Sequence, residues 1–404
     1  MAEQVTADGG NGQDRPAPGL SDLVGVLETY AAEVDRDARF PVEGLQALRD
    51  SGYLGYLVPV EHGGMGGGLD GLVDTAQQLA GGCLSTAMIW AMHCQQVDAL
   101  VRHAGPALRA RLLPRVAAGE VYLASVTTGS GTGGFLLSAA DPLSRVPADG
   151  PEGAPGRLLL DRHAPTVTGG EHADGYLVTM RADDEAAGHV VSLVYADRHD
   201  LVVKRVSDWN AMGMRGTDSA GFALLGSVPD DQLVGGPGEF RTVAVDSTIP
   251  VGHLAWSACW LGAARRAFSG LLRTIPRSGR HDTSSPLLQE QLGRIRLDLE
   301  LVSAYLHRVR EEVDACRAAG ARTDVPAVQI HLNSLKTAAS ELTCAAVDRM
   351  VQVAGLSLGY RSDAALPLER TFRDLRSAAL NYANDRLLTA NGTFTLLDRS
   401  VTLL

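Results

Sequence analysis

The chain has 404 residues, 45% of them hydrophobic, and a formal net charge of -11, a length that exceeds one ordinary core and predicts two or three packed units. The acidic balance excludes a nucleic-acid footprint, because neutralising phosphates takes clustered Lys and Arg. No apolar run reaches the roughly 18 residues that span a bilayer, so no membrane partner is expected.

In chain order, the polar, Gly-rich start over residues 1–19 lacks the basic and apolar regions of a signal peptide and reads as a disordered tail. From Ser21 apolar residues recur at helical spacing, with Ser21 as a candidate N-cap and Gly52 as a stop, which predicts two helices. "LDGLVDTAQQLAGG", "LSTAMIWAMHCQQVDALVRHAG" and "PALRARLLPRVAAGE" continue the helical pattern, giving an all-α unit over residues 20–120. The texture then changes. "VYLASVTT", "RLLLDRHAPTVTGG", "GYLVTMRA", "HVVSLVYAD" and "GFALLG" are short β-branched runs divided by Gly, Asp and Pro, predicting a small antiparallel β-domain over residues 121–236. Within it the Pro- and Gly-rich stretch from Ser144 to Gly156 reads as a mobile surface loop. Long helical patterns return over residues 237–404, notably Pro286 to Ala319 and Pro326 to Gly355, and predict a four-helix bundle. The fold class is thus α+β, ordered α, then β, then long α. The five cysteines are scattered, odd in number and without CxxC spacing, which predicts a reduced cytoplasmic setting, buried apolar roles and no metal site.

Several local segments sharpen this outline. "FPVEGLQALRDSGYLGYLVPVEHGGMGG", "LASVTTGSGTGG", "APTVTGGEHADGYLV", "DWNAMGMRGTDSAGFALLGSVPDDQLVG" and "QVAGLSLGY" occur in that order over Phe40 to Tyr360. Together they resemble the acyl-CoA dehydrogenase superfamily of flavoproteins over roughly Ser21 to Gly392. The resemblance implies FAD or reduced FMN as cofactor. Val126, Thr127 and Thr128 with the following glycines, Gly133 among them, match the strand and loop whose backbone meets the flavin ring. Glycine there lets the chain approach a planar ring without a Cβ in the way. Thr168 matches the Thr of the second flavin strand, and Thr166 replaces the aromatic residue usual two positions before it. Met214, Arg215, Thr217 and Ser219 match a further strand. Gln352 and Gly355 match a segment that reaches the cofactor pyrophosphate of a neighbouring subunit, with Leu356 in place of its second Gly. Arg277 or Arg280 stands where a diphosphate-binding Arg is expected. A homodimer or homotetramer follows from the same likeness.

One departure bears on the chemistry. Acyl-CoA dehydrogenation needs a carboxylate to take the proton α to the thioester carbonyl. The resemblance places that Glu after an Arg-Asp-x-Arg frame, here Arg370, Arg373, Asp374 and Arg376, which is expected to be structural. Ungapped alignment puts Asn381 at the family's Tyr, Tyr382 at its Glu, Ala383 at its Gly and Asn384 at its Thr, with Asn384 among the expected cofactor contacts. The alternative position on the first long bundle helix holds Gly252 and His253. Both usual sites of the acid are empty. Monooxygenases resembling this chain use reduced flavin and oxygen with no α-proton base, and they carry a His on the helix that here holds His93; Asn381 falls where they have a second His. Three readings follow. Oxygenation of a small or carrier-bound metabolite, with a flavin reductase as possible partner, is favoured, with His93, Asn381 and Tyr382 as catalytic candidates. A dehydrogenase with its base relocated to Asp385 or Glu61 is the second reading, and a non-catalytic flavin-binding or structural paralogue is the third.

Overall fold

The computed structural model describes residues 19–129, 135–146 and 156–404, and opens with five helices. These are α1 (Leu20–Asp37), α2 (Val42–Asp50), α3 (Leu69–Gly82), α4 (Leu84–His103) and α5 (Pro106–Ala117). α1 turns Leu23, Leu27, Ala31 and Val34 inward, the stripe that its spacing predicts. It begins at Leu20 on Gly19, so Ser21 lies inside the first turn and makes no capping bond. Gly52 stops the chain after α2 at φ 74, a left-handed conformation that glycine adopts freely. α4 is buried on nearly every side from Leu84 to Leu100, Trp90 and His93 included, which makes it a core helix.

Eight strands follow among the described residues: β1 (Leu123–Val126), β2 (Ser144–Val146), β3 (Arg157–Ala164), β4 (Gly175–Arg181), β5 (Val191–Asp197), β6 (Leu201–Arg205), β7 (Phe222–Pro229) and β8 (Leu233–Val234). They form two four-stranded sheets in the orders β1-β4-β5-β8 and β2-β3-β7-β6. The second sheet is antiparallel throughout, but β1 runs parallel to β4, from Leu123 beside Gly175 to Val126 beside Val178. The strand pairs of the middle domain are otherwise antiparallel, as its texture predicts, with that one parallel pair. Between them the chain builds β2 and β3 into the other sheet, and so long a crossover permits parallel pairing. β3 alternates exposed and buried residues, which puts Leu158, Leu160, Arg162 and Ala164 on its inner face. Residues 147–155, most of the predicted surface loop, and Gly133 lie outside the described residues.

A short α6 (Phe240–Val243) passes through a wide π-helical turn, Ala244–Thr248, into α7 (Ile249–Ser278). Then come α8 (Pro286–Ala318), α9 (Pro326–Gly355), α10 (Leu368–Arg376) and α11 (Asn384–Thr395). Pro286 and Pro326 open their helices at the first turn, where a missing N–H costs nothing. α7 packs against α3 and α4 on one side and against α8 and α9 on the other, joining both helical parts.

Candidate functional site

The end of β1 supplies the first wall. Val126 is fully buried and its carbonyl accepts a bond from the Thr179 hydroxyl at 3.2 Å, while Thr127 and Thr128 leave the ladder half-buried. The Thr128 hydroxyl donates to the Thr166 carbonyl at 2.8 Å, which sets the β1 exit beside the Thr166–Thr168 segment. Arg162, fully buried between the sheets, donates to the Thr128 carbonyl at 2.7 Å and to Asp141 at 2.6 Å. The Thr168 hydroxyl bonds that of Ser219 at 2.9 Å, and Ser219 bonds Thr217 at 2.8 Å. Three segments far apart in sequence, Val126–Thr128, Thr166–Thr168 and Thr217–Ser219, thus form one face of hydroxyl and peptide groups.

The second wall comes from the bundle. After α10 the chain coils through Ser377–Ala383 in successive turns and places Tyr382 at φ 49. Burial raises the pKa of its phenol well above the ordinary 10.0, with the nearby Thr127 side chain acting in the opposite direction. Its ring centroid lies 5.2 Å from that of Trp256 and 6.2 Å from that of His253. Lys336, fully buried on α9, donates to the Tyr382 carbonyl at 2.8 Å and to Asn384 Oδ1 at 2.7 Å. Asn384 bonds Ser340 and Glu341 as well, so its amide ties α11 to α9 and is engaged away from the β1 exit. The Asn381 side chain makes no hydrogen bond among the described residues.

His253 Nδ1 faces the Leu332 carbonyl at 3.2 Å. A carbonyl only accepts, so Nδ1 carries the proton and Nε2 is left as an acceptor. Burial, and then the Lys336 ammonium, lower its pKa to about 3, which keeps the ring neutral. Trp256 is 2% exposed, and its indole N–H has no partner among the described residues.

His93 has a different place from the one expected. Its Nδ1 accepts from the Leu123 amide at 3.0 Å and its Nε2 donates to the Leu54 carbonyl at 2.8 Å. Both ring nitrogens are spent on backbone. The side chain is fully buried, burial lowers its pKa to about 4, and it buckles α4 to β1 and to the turn at Leu54 without a free atom for a ligand.

The pyrophosphate candidates form a separate group. Gln352 is exposed and bonds Asp348 at 2.7 Å, Gly355 ends α9 at φ 67, and Arg277 is exposed near the end of α7. Arg280 donates to Ser357, and His281 bonds the Val353 carbonyl at 2.8 Å. At 1.5 Å per helical residue, Gln352 lies about 24 Å along α9 from Lys336, and Arg277 about 36 Å along α7 from His253. One chain therefore does not bring both groups together. A surface cleft between α1, α3, α7 and α8, lined by Arg265, Arg266, Arg273 and Arg296, belongs to neither.

The Arg frame behaves as a scaffold, though its members do not pair with one another. Arg373 grips both Asp35 oxygens on α1 at 3.0 and 2.6 Å, the Met212 carbonyl at 2.9 Å, and Glu369. Asp374 accepts from the Met214 amide, and Gly213 lets that loop come so near that a Cβ would sit 2.0 Å from the Arg373 carbonyl oxygen. Arg376 is exposed. Arg373→Ala strands the mostly buried Asp35 carboxylate, and should lower unfolding stability by about 3 kcal/mol with little change in flavin affinity. Urea unfolding and flavin titration check this, and a folded variant with selectively lost flavin binding would contradict it.

Residues 24–120 match the model of the acyl-CoA dehydrogenase N-terminal domain and residues 254–385 that of its C-terminal domain, together more than half of the chain. The chain belongs to the acyl-CoA dehydrogenase superfamily. Over 384 residues it is 27% identical to L-evernosamine nitrososynthase of a Micromonospora species, covering 89% of this chain and 84% of that one. Its fold superposes on FMN-bound TdsC of Paenibacillus sp. A11-2 with a TM-score of 0.80 at 20% identity, covering 94% and 96% of the two chains. Butyryl-CoA dehydrogenase of Megasphaera elsdenii gives 0.79 at 16% identity, covering 93% and 98%. Within this superfamily fold, sequence reading did not single out Lys336, Trp256 or Arg162. The findable signal was composition: Lys204 and Lys336 are the only lysines among 36 basic residues, and Lys336 sits in an apolar helix.

Proposed function

We propose that the chain is a flavin-dependent monooxygenase of a small or carrier-bound metabolite, using FAD or reduced FMN. The observation that carries this is Tyr382. It occupies the place where the superfamily resemblance puts the catalytic Glu, and its neighbours are the Trp256 and His253 rings with Thr127 nearby, no carboxylate among them. The relocated-base reading has little geometric support. Asp385 is exposed with its carboxylate on the Arg386 amide, and Glu61 is exposed on a turn packed against α5.

The residues fit a flavin on one side. Hydroxyl and peptide groups of Val126–Thr128 lie beside Thr166–Thr168, with Tyr382 opposite, and these would hold the ring; Gln352, Gly355 and Arg277 would serve the cofactor of a second copy. When bound in its reduced form, the flavin supplies the electrons that let one atom of O2 pass to substrate and the other leave as water. The Tyr382 phenol lies near the Thr127 side chain. Burial keeps that phenol protonated, able to donate one hydrogen bond but not to take a carbon-bound proton. His253 Nε2 is available to accept from a substrate N–H or O–H. Trp256 and Tyr382 keep this wall apolar, which protects a reactive step from bulk water. Nitrososynthase and monooxygenase chemistry, named for a relative and among the neighbours, supports this reading, while the dehydrogenase neighbour shows that fold alone does not choose.

The test has two arms. Saturating flavin, at about 100 times its Kd, should stabilise the protein by about 2.7 kcal/mol. Anaerobic acyl-CoA thioesters should leave bound flavin oxidised, whereas reduced flavin mixed with oxygen in stopped flow should show a transient absorbance unlike oxidised or reduced flavin. Rapid anaerobic bleaching by an acyl thioester without that transient would place dehydrogenation first.

A further inference from the structure

The chain relies on arginine for almost every cation, yet one of its two lysines is completely buried. A buried ammonium is costly unless each of its N–H groups finds a partner. Here the Tyr382 carbonyl accepts at 2.8 Å, Asn384 Oδ1 accepts at 2.7 Å, and Nζ lies 5.8 Å from the centroid of the Trp260 ring. An arginine at this point would bring a planar fork with five donors that these partners do not match. What the lysine holds is unusual backbone. Tyr382 has φ 49, a left-handed conformation that a bulky residue keeps only where its surroundings impose it. The bond to its carbonyl fixes that peptide, while the bond to Asn384 fixes the start of α11, so the 382–384 turn is pinned on two consecutive sides.

On the opposite wall Arg162, also fully buried, holds the Thr128 carbonyl at 2.7 Å. Tyr382 and the Thr128 end of β1 thus each rest on backbone secured by a fully buried basic side chain from its own domain. We propose that Lys336 is a positioning residue which, through the Tyr382 carbonyl, sets the Tyr382 ring against Trp256 and His253 and hence against the reacting face. This rests on the reading that Tyr382 faces the reaction. Among the described contacts Lys336 reaches Tyr382 through the backbone carbonyl alone.

The experiment places 3-fluorotyrosine at position 382 of the full-length protein and records the 19F resonance with and without flavin, in wild type, Lys336→Met and Lys336→Gln. Wild type should give one narrow line shifted from free fluorotyrosine. Lys336→Met should move it toward the solvent value or split it, with far-ultraviolet circular dichroism unchanged, and Lys336→Gln, which keeps a donor, should recover part of the shift. Oxygen transfer should fall about tenfold in Lys336→Met, the equivalent of one lost charge-assisted hydrogen bond, with flavin affinity held. In a Tyr382→Phe background the same change should cost less than about twofold, because the two residues act as a unit. A folded Lys336→Met protein with an unmoved resonance overturns the proposal, as does additivity with Tyr382→Phe, or failure of both Lys336 variants to fold. Because the resonance is read without turnover, a protein that transfers no oxygen but shows the shift counts against the proposed reaction and not against the role of Lys336.

Discussion

Replacing Tyr382 with Glu should destroy oxygen transfer, lowering it at least about a hundredfold, and should not create an acyl-CoA dehydrogenase. The new carboxylate would enter a wall made of Trp256, His253 and Thr127, none of which offers a positive charge. The nearest ammonium, Lys336, is already spent on the Tyr382 carbonyl and Asn384. Burying a charge without a partner costs several kcal/mol, and the acid responds by raising its pKa and taking up a proton. A protonated acid is no base for an α-proton. The phenol and its hydrogen-bond donor are lost as well. Tyr382→Phe, which removes only the hydroxyl, should keep the fold and lose about tenfold, near the value of one hydrogen bond to a reacting group. Anaerobic flavin bleaching by acyl thioesters, recorded beside oxygen transfer for wild type and both variants, decides the matter. Gain of bleaching in the Glu variant would show that the site still orients an acyl thioester for dehydrogenation.

Acid should unfold this protein through two histidines. His93 and His253 are buried and neutral, with pKa values lowered by burial from 6.5 to about 4 and about 3. In the unfolded chain both protonate near 6.5, so between that value and about 4 the unfolded state binds more protons. Stability therefore rises with pH across this window and is lost as pH falls through it. At 1.36 kcal/mol per unit, each ring removes on the order of 3 kcal/mol by pH 4. Asp374 acts in the opposite direction. Burial raises its pKa from 3.8 to about 7, so it favours the folded state at low pH and loses that contribution as pH rises toward 7. Two rings against one carboxyl leave a net loss in acid. Urea unfolding from pH 7.5 to 4 should show this slope, and His253→Gln should nearly abolish it, since His93 and Asp374 then offset each other, while lowering stability at pH 7. A slope unchanged by that substitution would mean that other groups carry the acid sensitivity.

Much of the fold was legible from local pattern. The bounds of α8 and α9, opened by Pro286 and Pro326, and the strand cores around Leu123, Leu177 and Val194 follow from periodicity and from proline and glycine chemistry, which act within a few residues. The resemblance carried the superfamily and the β1 exit at Val126–Thr128. What no local pattern encodes is pairing across distance. The parallel partner of β1, the short edge strands β2, β6 and β8, and the passage of Arg162 to Thr128 depend on how two sheets meet. The same holds for the site. Sequence placed His93 on a helix, but only packing decided that both its nitrogens would be consumed by Leu54 and Leu123. The resemblance put Tyr382 where its family carries an acid; tertiary structure decided how that residue is held, by bringing Lys336 from 46 residues away to its carbonyl. Hydrophobic periodicity is a property of neighbours on one chain, whereas the protonation and orientation of a buried group are set by whatever segments desolvate it.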